Sequence, residues 1–169
     1  LGLGEGILLW VGCSGAFHPR YQETTRSLVR ILKAAGMPCG ILGKEELCCG
    51  DPARRLGDED QFRSLAGKNI QTFEKYGVRK IVCLCPHGFN TLKNEYPALG
   101  SRVQVIHAVE LMMDLIGENR LALKYPLEKK TAIHDPCYLG RANQIYEPLR
   151  TICRSIPGME LVELRRNQE

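Results

Sequence analysis

Residues 6–43 read GILLWVGCSGAFHPRYQETTRSLVRILKAAGMPCGILG. The apolar run Gly6-Ile-Leu-Leu-Trp-Val-Gly12 reads as a short buried strand. From Tyr21 to Ala35 the spacing is helical: Leu28, Ile31, Leu32 and Ala35 fall on one face. Gly36 and then Pro38 stop that helix, and Cys39 to Gly43 reads as a second strand. Two strands joined by a helix of this length form a parallel pair with a crossover connection. The same alternation continues outward. Asp60 to Tyr76 is helical with Gly77 as its cap, Lys80 to Leu84 is a third strand, and Phe89 to Tyr96 is a short helix ended by Pro97. Val103 to Ile106 and Ala108 to Ile116 supply a fourth strand and a fourth helix. After a polar stretch, residues 117–130, the pattern resumes with a strand at Thr131–His134, a helix at Ile145–Ser155 and a strand at Glu160–Leu164. The expected fold class is α/β, with parallel sheets and flanking helices.

The bulk properties exclude several function classes. A net charge of +4 with no basic run of five gives no footprint for nucleic acid. The longest apolar stretch, Ile7 to Val11, is far too short to span a bilayer, and no secretory signal is present. The chain starts at Leu1 without a Met and reads as a piece of a longer protein. Its 169 residues suffice for one domain or two small lobes. Cysteine is the outlier: the eight present are roughly three times ordinary usage. In a chain with long helices and no secretory signal, clustered cysteines point to metal ligands or redox thiols in a reducing compartment.

Binding sites in parallel sheets gather at the carboxyl ends of the strands, and the cysteines fall there. Cys13 ends the first strand, Cys83 and Cys85 end the third, Cys48-Cys49 lies in the loop after the second, and Cys137 follows the strand after the polar stretch. Soft thiolates suit iron–sulfur clusters and zinc. The adjacent pair Cys48-Cys49 favours a cluster, because zinc ligands usually sit two to four residues apart. Gly50 lets the backbone approach closely. Cys13, Cys48, Cys49 and Cys85 are therefore the expected ligands. Cys83, two residues before Cys85, is a further candidate, and His87 is a candidate replacement ligand, as imidazole is in Rieske centres. Cys39 and Cys153 read as inert thiols in apolar surroundings. His134 and Asp135 read either as proton carriers or as a structural turn before Pro136. No catalytic triad is evident. A zinc-stabilised binding module and a thiol–disulfide oxidoreductase remain open as alternatives.

In motif order the chain shows Cys13, 34 intervening residues, Cys48-Cys49-Gly50, 35 residues after Cys49, and then Cys85-Pro86-His87-Gly88. With Gly50-Asp-Pro-Ala-Arg-Arg-Leu-Gly57, Asn90-Thr-Leu-Lys-Asn-Glu-Tyr-Pro97 and His134-Asp-Pro-Cys-Tyr-Leu-Gly-Arg141, this resembles the cysteine-rich CCG domain. That domain is found in the B-type subunit of heterodisulfide reductase and in related iron–sulfur oxidoreductases. The chain looks most like the membrane-associated members acting between electron-transferring flavoprotein and quinone. The resemblance implies a [4Fe–4S] cluster, cubane or non-cubane, at Cys13, Cys48, Cys49 and Cys85, and one-electron relay from a flavoprotein or other redox subunit to a quinone, heme or disulfide. It implies a cytoplasmic site, at the inner face of a membrane reached through other domains or subunits. Two departures stand out. Gly88 occupies the last position of the family's Cys-x-x-Cys. The family also carries its motif twice, so 1–120 is expected to be a first lobe and 121–169 the start of a similar but incomplete second one. Cys137 opens that second copy, whose Cys-Cys would fall 35 residues on, past Glu169.

Overall fold

The computed structural model describes residues 6–165, 167 and 168. It divides into two compact units, one up to Ala108 and one from Val109 on. The first unit opens with β1 (Ile7–Trp10), all four residues of which are buried. A strand covered on both faces needs no polar alternation, which is why Ile-Leu-Leu-Trp is continuous. The short α1 (Gly12–Phe17) follows directly, then α2 (Pro19–Ala34), which starts on a proline whose fixed φ suits a first turn and buries Leu28 and Leu32. Next come β2 (Cys39–Gly40), a 3₁₀ turn at Gly43–Glu45 and α3 (Asp51–Arg55).

Helix α4 (Glu59–Lys75) is capped by Asp58, whose carboxylate accepts from the Gln61 N–H at 2.9 Å. It buries Phe62, Ala66, Asn69, Ile70 and Phe73 along one face. Then come β3 (Lys80–Cys83) and α5 (Pro86–Asn90), which runs on through a π turn at Thr91–Glu95 and a 3₁₀ turn at Tyr96–Leu99, and finally β4 (Gln104–His107).

The four strands form one parallel sheet in the order β2-β1-β3-β4. The chain winds outward from β1 to β2, then crosses back to place β3 on the other side of β1. Strands β1 and β3 therefore lead into loops that diverge to opposite sides, and the crevice between their carboxyl ends is a topological switch point. Trp10 pairs with Cys83 at that end. Beneath it lies an aromatic core: Trp10 meets Phe73 edge-on at 5.9 Å, and Tyr96 lies 6.3 Å from Phe62.

The second unit holds most of α6 (Ala108–Gly117), then β5 (Lys129–Ala132), α7 (Gly140–Asn143), α8 (Glu147–Ser155) and β6 (Met159–Val162). Strands β5 and β6 pair in parallel. Arg150 of α8 is buried, and its guanidinium is fully engaged. Both oxygens of Asp135 accept from it at 2.8 Å, the Glu163 carboxylate accepts at 2.8 and 3.1 Å, and the Tyr146 carbonyl accepts at 3.0 Å. Arg150 holds the Asp135 carboxyl below its ordinary range, so Asp135 is a structural anchor of the turn before Cys137. Among the described residues no helix is long and apolar enough to cross a membrane.

Candidate functional site

At the switch point, Cys13, Cys48, Cys49 and Cys85 line one cavity of about 160 Å³. Three loops bring them there. Cys13 sits in the first turn of α1, one residue after Gly12, whose φ of +70° turns the chain out of β1. Cys85 directly precedes α5. The Cys48-Cys49 pair lies between the 3₁₀ turn and α3 and ends at Gly50, with φ +85°. A Cβ on Gly50 would come within 2.8 Å of the Phe62 ring, so conformation and space both demand glycine there. Cys13 and Cys48 are exposed, whereas Cys49 and Cys85 are half-buried.

The Cys-Cys loop is held by side chains that the sequence reading passed over. Buried Asn69 of α4 accepts from the Leu47 N–H at 3.3 Å and donates to the Cys48 carbonyl at 3.0 Å. It also donates to the Tyr96 hydroxyl at 3.1 Å, which in turn donates to the Cys49 carbonyl at 3.1 Å. The Cys13 loop is tied to the same region by Glu46, whose carboxylate accepts from the Gly12 and Val11 N–H groups at 2.6 and 3.1 Å. Burial pushes the Glu46 carboxyl up, against the pull of those two donors. Asn69 gave a signal in the sequence, as a polar residue on the apolar face of α4. Glu46 gave none, because a single acid in a loop is ordinary.

The thiols differ sharply. The Cys49 thiol donates to Cys48, and the Gly50 N–H lies 3.4 Å from the Cys48 sulfur. Together these hold Cys48 down to about 6, below the ordinary thiol range, which favours its thiolate form at neutral pH. Cys49 is pushed up by the hydrogen bond its thiol donates to Cys48 and by burial. Cys83 is wholly buried in β3, is raised well above the ordinary thiol range by that burial, and does not line the cavity. Burial also raises Cys39 and Cys153. Cys137 is exposed in the second unit.

Asp51 and His87 complete one wall. Asp51 is buried, with His87 Nδ1 at 2.9 Å, the Thr91 hydroxyl donating at 3.3 Å and Arg55 Nε at 3.2 Å. Its charge is thus answered before it reaches the cavity, and the imidazole ring is fixed in orientation. Gly88 lies on the same wall, where a Cβ would stand 3.4 Å from the indole nitrogen of Trp10. Among the described residues no three His, Cys, Asp or Glu side chains gather tightly enough to hold a single metal ion. The four cysteines surround a space instead of converging on a point.

The CCG family profile, described as a cysteine-rich domain, matches residues 7–93 and 131–169. The chain belongs to the CCG family. This CCG chain is 42% identical over 162 residues to the EtfAB:quinone oxidoreductase of Syntrophomonas wolfei, a match covering 96% of this chain and 22% of that protein. It is 44% identical to "Probable iron-sulfur-binding oxidoreductase FadF" of Bacillus subtilis, covering 96% of this chain and 23% of that one. It is 31% identical to a subunit of the dihydromethanophenazine:CoB–CoM heterodisulfide reductase of Methanosarcina barkeri, covering 96% and 41%. The CCG chain thus spans less than a quarter of the first two relatives and under half of the third. No solved structure matches it significantly.

Proposed function

We propose that this CCG chain is the iron–sulfur electron-transfer portion of a larger oxidoreductase, with a [4Fe–4S] cluster held by Cys13, Cys48, Cys49 and Cys85. The observation that carries this reading is the convergence of those four cysteines, from three loops, on one cavity at the switch point. The fit is chemical as well as spatial. All four candidate ligands are sulfur, the donor type such clusters use. A lone zinc would draw its sulfurs to about 2.3 Å from one centre, whereas these line a volume of about 160 Å³. Such a cluster supplies a one-electron carrier. The chain's residues supply a rigid mount: Asn69 and Tyr96 fix the Cys48-Cys49 backbone, and Glu46 fixes the Cys13 turn.

Gly88 supports a four-thiolate site, since the position where the family pattern has its last cysteine carries no sulfur here. Electrons enter at the exposed edge. Cys13 and Cys48 also line a wider depression of about 480 Å³ with Phe17, Ile41 and Leu47. Phe17 and Ile41 are 84% and 60% exposed, an apolar rim of the kind a transient redox partner covers. The Syntrophomonas relative's name points to an electron-transferring flavoprotein as that partner. Membrane contact would come through other parts of the full protein. In the second unit, β5 followed by Cys137 repeats the arrangement of β1 followed by Cys13, which supports its reading as the start of a second lobe.

Anaerobically purified chain is the test. Brown protein with iron and acid-labile sulfide in matched amounts, bleached in Cys49→Ala, is the expected result. Colourless protein with stoichiometric zinc, or metal-free protein with a reactive thiol, would overturn it.

A further inference from the structure

Trp10 is the one buried polar side chain at the cavity that the site described so far does not use. It is 1% exposed, yet it lines the cavity together with the four cysteines. Its ring is fixed from behind by the edge-on contact with Phe73. Its pyrrole edge faces the other way, between two glycines. A Cβ on Gly12 would meet Cδ1 and Nε1 at 3.8 Å each, and a Cβ on Gly88 would meet the same atoms at 3.6 and 3.4 Å. Gly12 directly precedes Cys13, and Gly88 lies three residues after Cys85. The absence of side chains at both positions bares the indole N–H to the space that the thiols surround. Among the described residues no group accepts a hydrogen bond from it. Among the described residues the one sealed side-chain polar atom without a hydrogen-bond partner is a Glu95 oxygen, so the Trp10 N–H is open to the cavity, where an indole N–H usually finds a partner.

We infer that the indole N–H of Trp10 donates a hydrogen bond to a sulfur of the bound cluster and raises the cluster's reduction potential. The inference rests on the iron–sulfur reading above. A hydrogen bond to sulfur withdraws negative charge from the cluster and favours the state carrying one more electron. One electron arrives from the redox partner, no bond at Trp10 forms or breaks, and the N–H proton stays on the indole.

Trp10 is the only tryptophan in the 169-residue chain, so its signals need no assignment. Loading the chain anaerobically with ferrous iron and sulfide should quench its emission in step with the rise of cluster absorbance. A loaded cluster with undiminished emission overturns the inference. Trp10→Phe keeps an aromatic ring and removes the donor. It should load the same iron and sulfide but be up to about tenfold harder to reduce, a negative shift of up to about 59 mV for one electron. An unchanged potential in loaded Trp10→Phe overturns the inference. Should that variant fail to fold or load, wild-type chain carrying ¹⁵N in its single indole decides the matter. Hyperfine coupling of that nitrogen to the reduced cluster is the expected result, and its absence overturns the inference. If iron and sulfide do not bind the wild-type chain at all, the iron–sulfur reading itself falls.

Discussion

Cys48 and Cys49 are neighbours in sequence but opposites in chemistry, because one proton between them serves both. Cys49 keeps it and donates it, leaving Cys48 a thiolate with a midpoint near 6. In apoprotein, Cys48 should therefore react first with iodoacetamide. Its rate should rise with pH through about 6, where it is half-maximal, and level off about a unit above, since the reactive form is the deprotonated one. Peptide mass spectrometry of a pH series checks this, and Cys49→Ala should move the inflection back toward about 8.5, the ordinary thiol value. Residue types and spacing pointed to these cysteines as candidates from the sequence alone. The asymmetry between them was not legible, because it arises from burial and from the turn at Gly50.

At the level of elements, the strands and long helices followed from periodicity, and the cysteines' place at strand ends followed with them. The sheet order did not, since nothing in a run such as Ile7–Trp10 says which strand will lie beside it. Helices α1 and α3 also escaped the sequence reading. Segments of six and five residues do not stand by propensity and form only where tertiary contacts hold them. The Phe89–Tyr96 helix was read as regular and ended by Pro97, whereas the segment starts at Pro86, passes through a π turn at Thr91–Glu95 into buried Tyr96, and carries Pro97 within the 3₁₀ turn Tyr96–Leu99. Tyr96 joins that segment to α4 and to the Cys-Cys loop through one hydroxyl. Tyr96→Phe keeps the packing against Phe62 and Phe73 but leaves the Cys49 carbonyl without that donor. A loss of about 1–3 kcal/mol in urea unfolding of the apoprotein is expected. Amide exchange should rise first across residues 47–50.

Buried His107 extends the same logic to the stability of the first unit. Its Nε2–H donates to the Leu84 carbonyl at 3.0 Å, anchoring the strand end that carries Cys85, and its ring meets Phe89 edge-on. Burial outweighs that hydrogen bond and lowers the imidazole to about 4. Between about 4 and the unfolded value of about 6.5, the unfolded chain carries a proton that the folded one refuses. Stability therefore rises with pH across that window and is lost as pH falls through it, by roughly 3 kcal/mol in full. Urea titrations of the apoprotein from pH 7 to pH 4 should show this slope, and His107→Gln should flatten it.

For the whole molecule, the exposed edge of the cysteine cavity sets where an electron can enter, and Phe17 stands on it. Its side chain is 84% exposed, one helical turn from Cys13, in a chain whose other phenylalanines are all buried. Among the described residues none covers that ring, whereas a partner seated on the rim would bury it. Phe17→Glu should therefore leave iron content, colour and potential unchanged, because the side chain lies outside the cavity that the four cysteines line. Reduction by an electron-transferring flavoprotein should slow about five- to hundredfold, the range for truncating an aromatic anchor at an interface. Stopped-flow bleaching of the cluster absorbance measures it directly. An unchanged rate would place the point of entry elsewhere on the surface, and a rate lost together with iron would make Phe17 a structural residue.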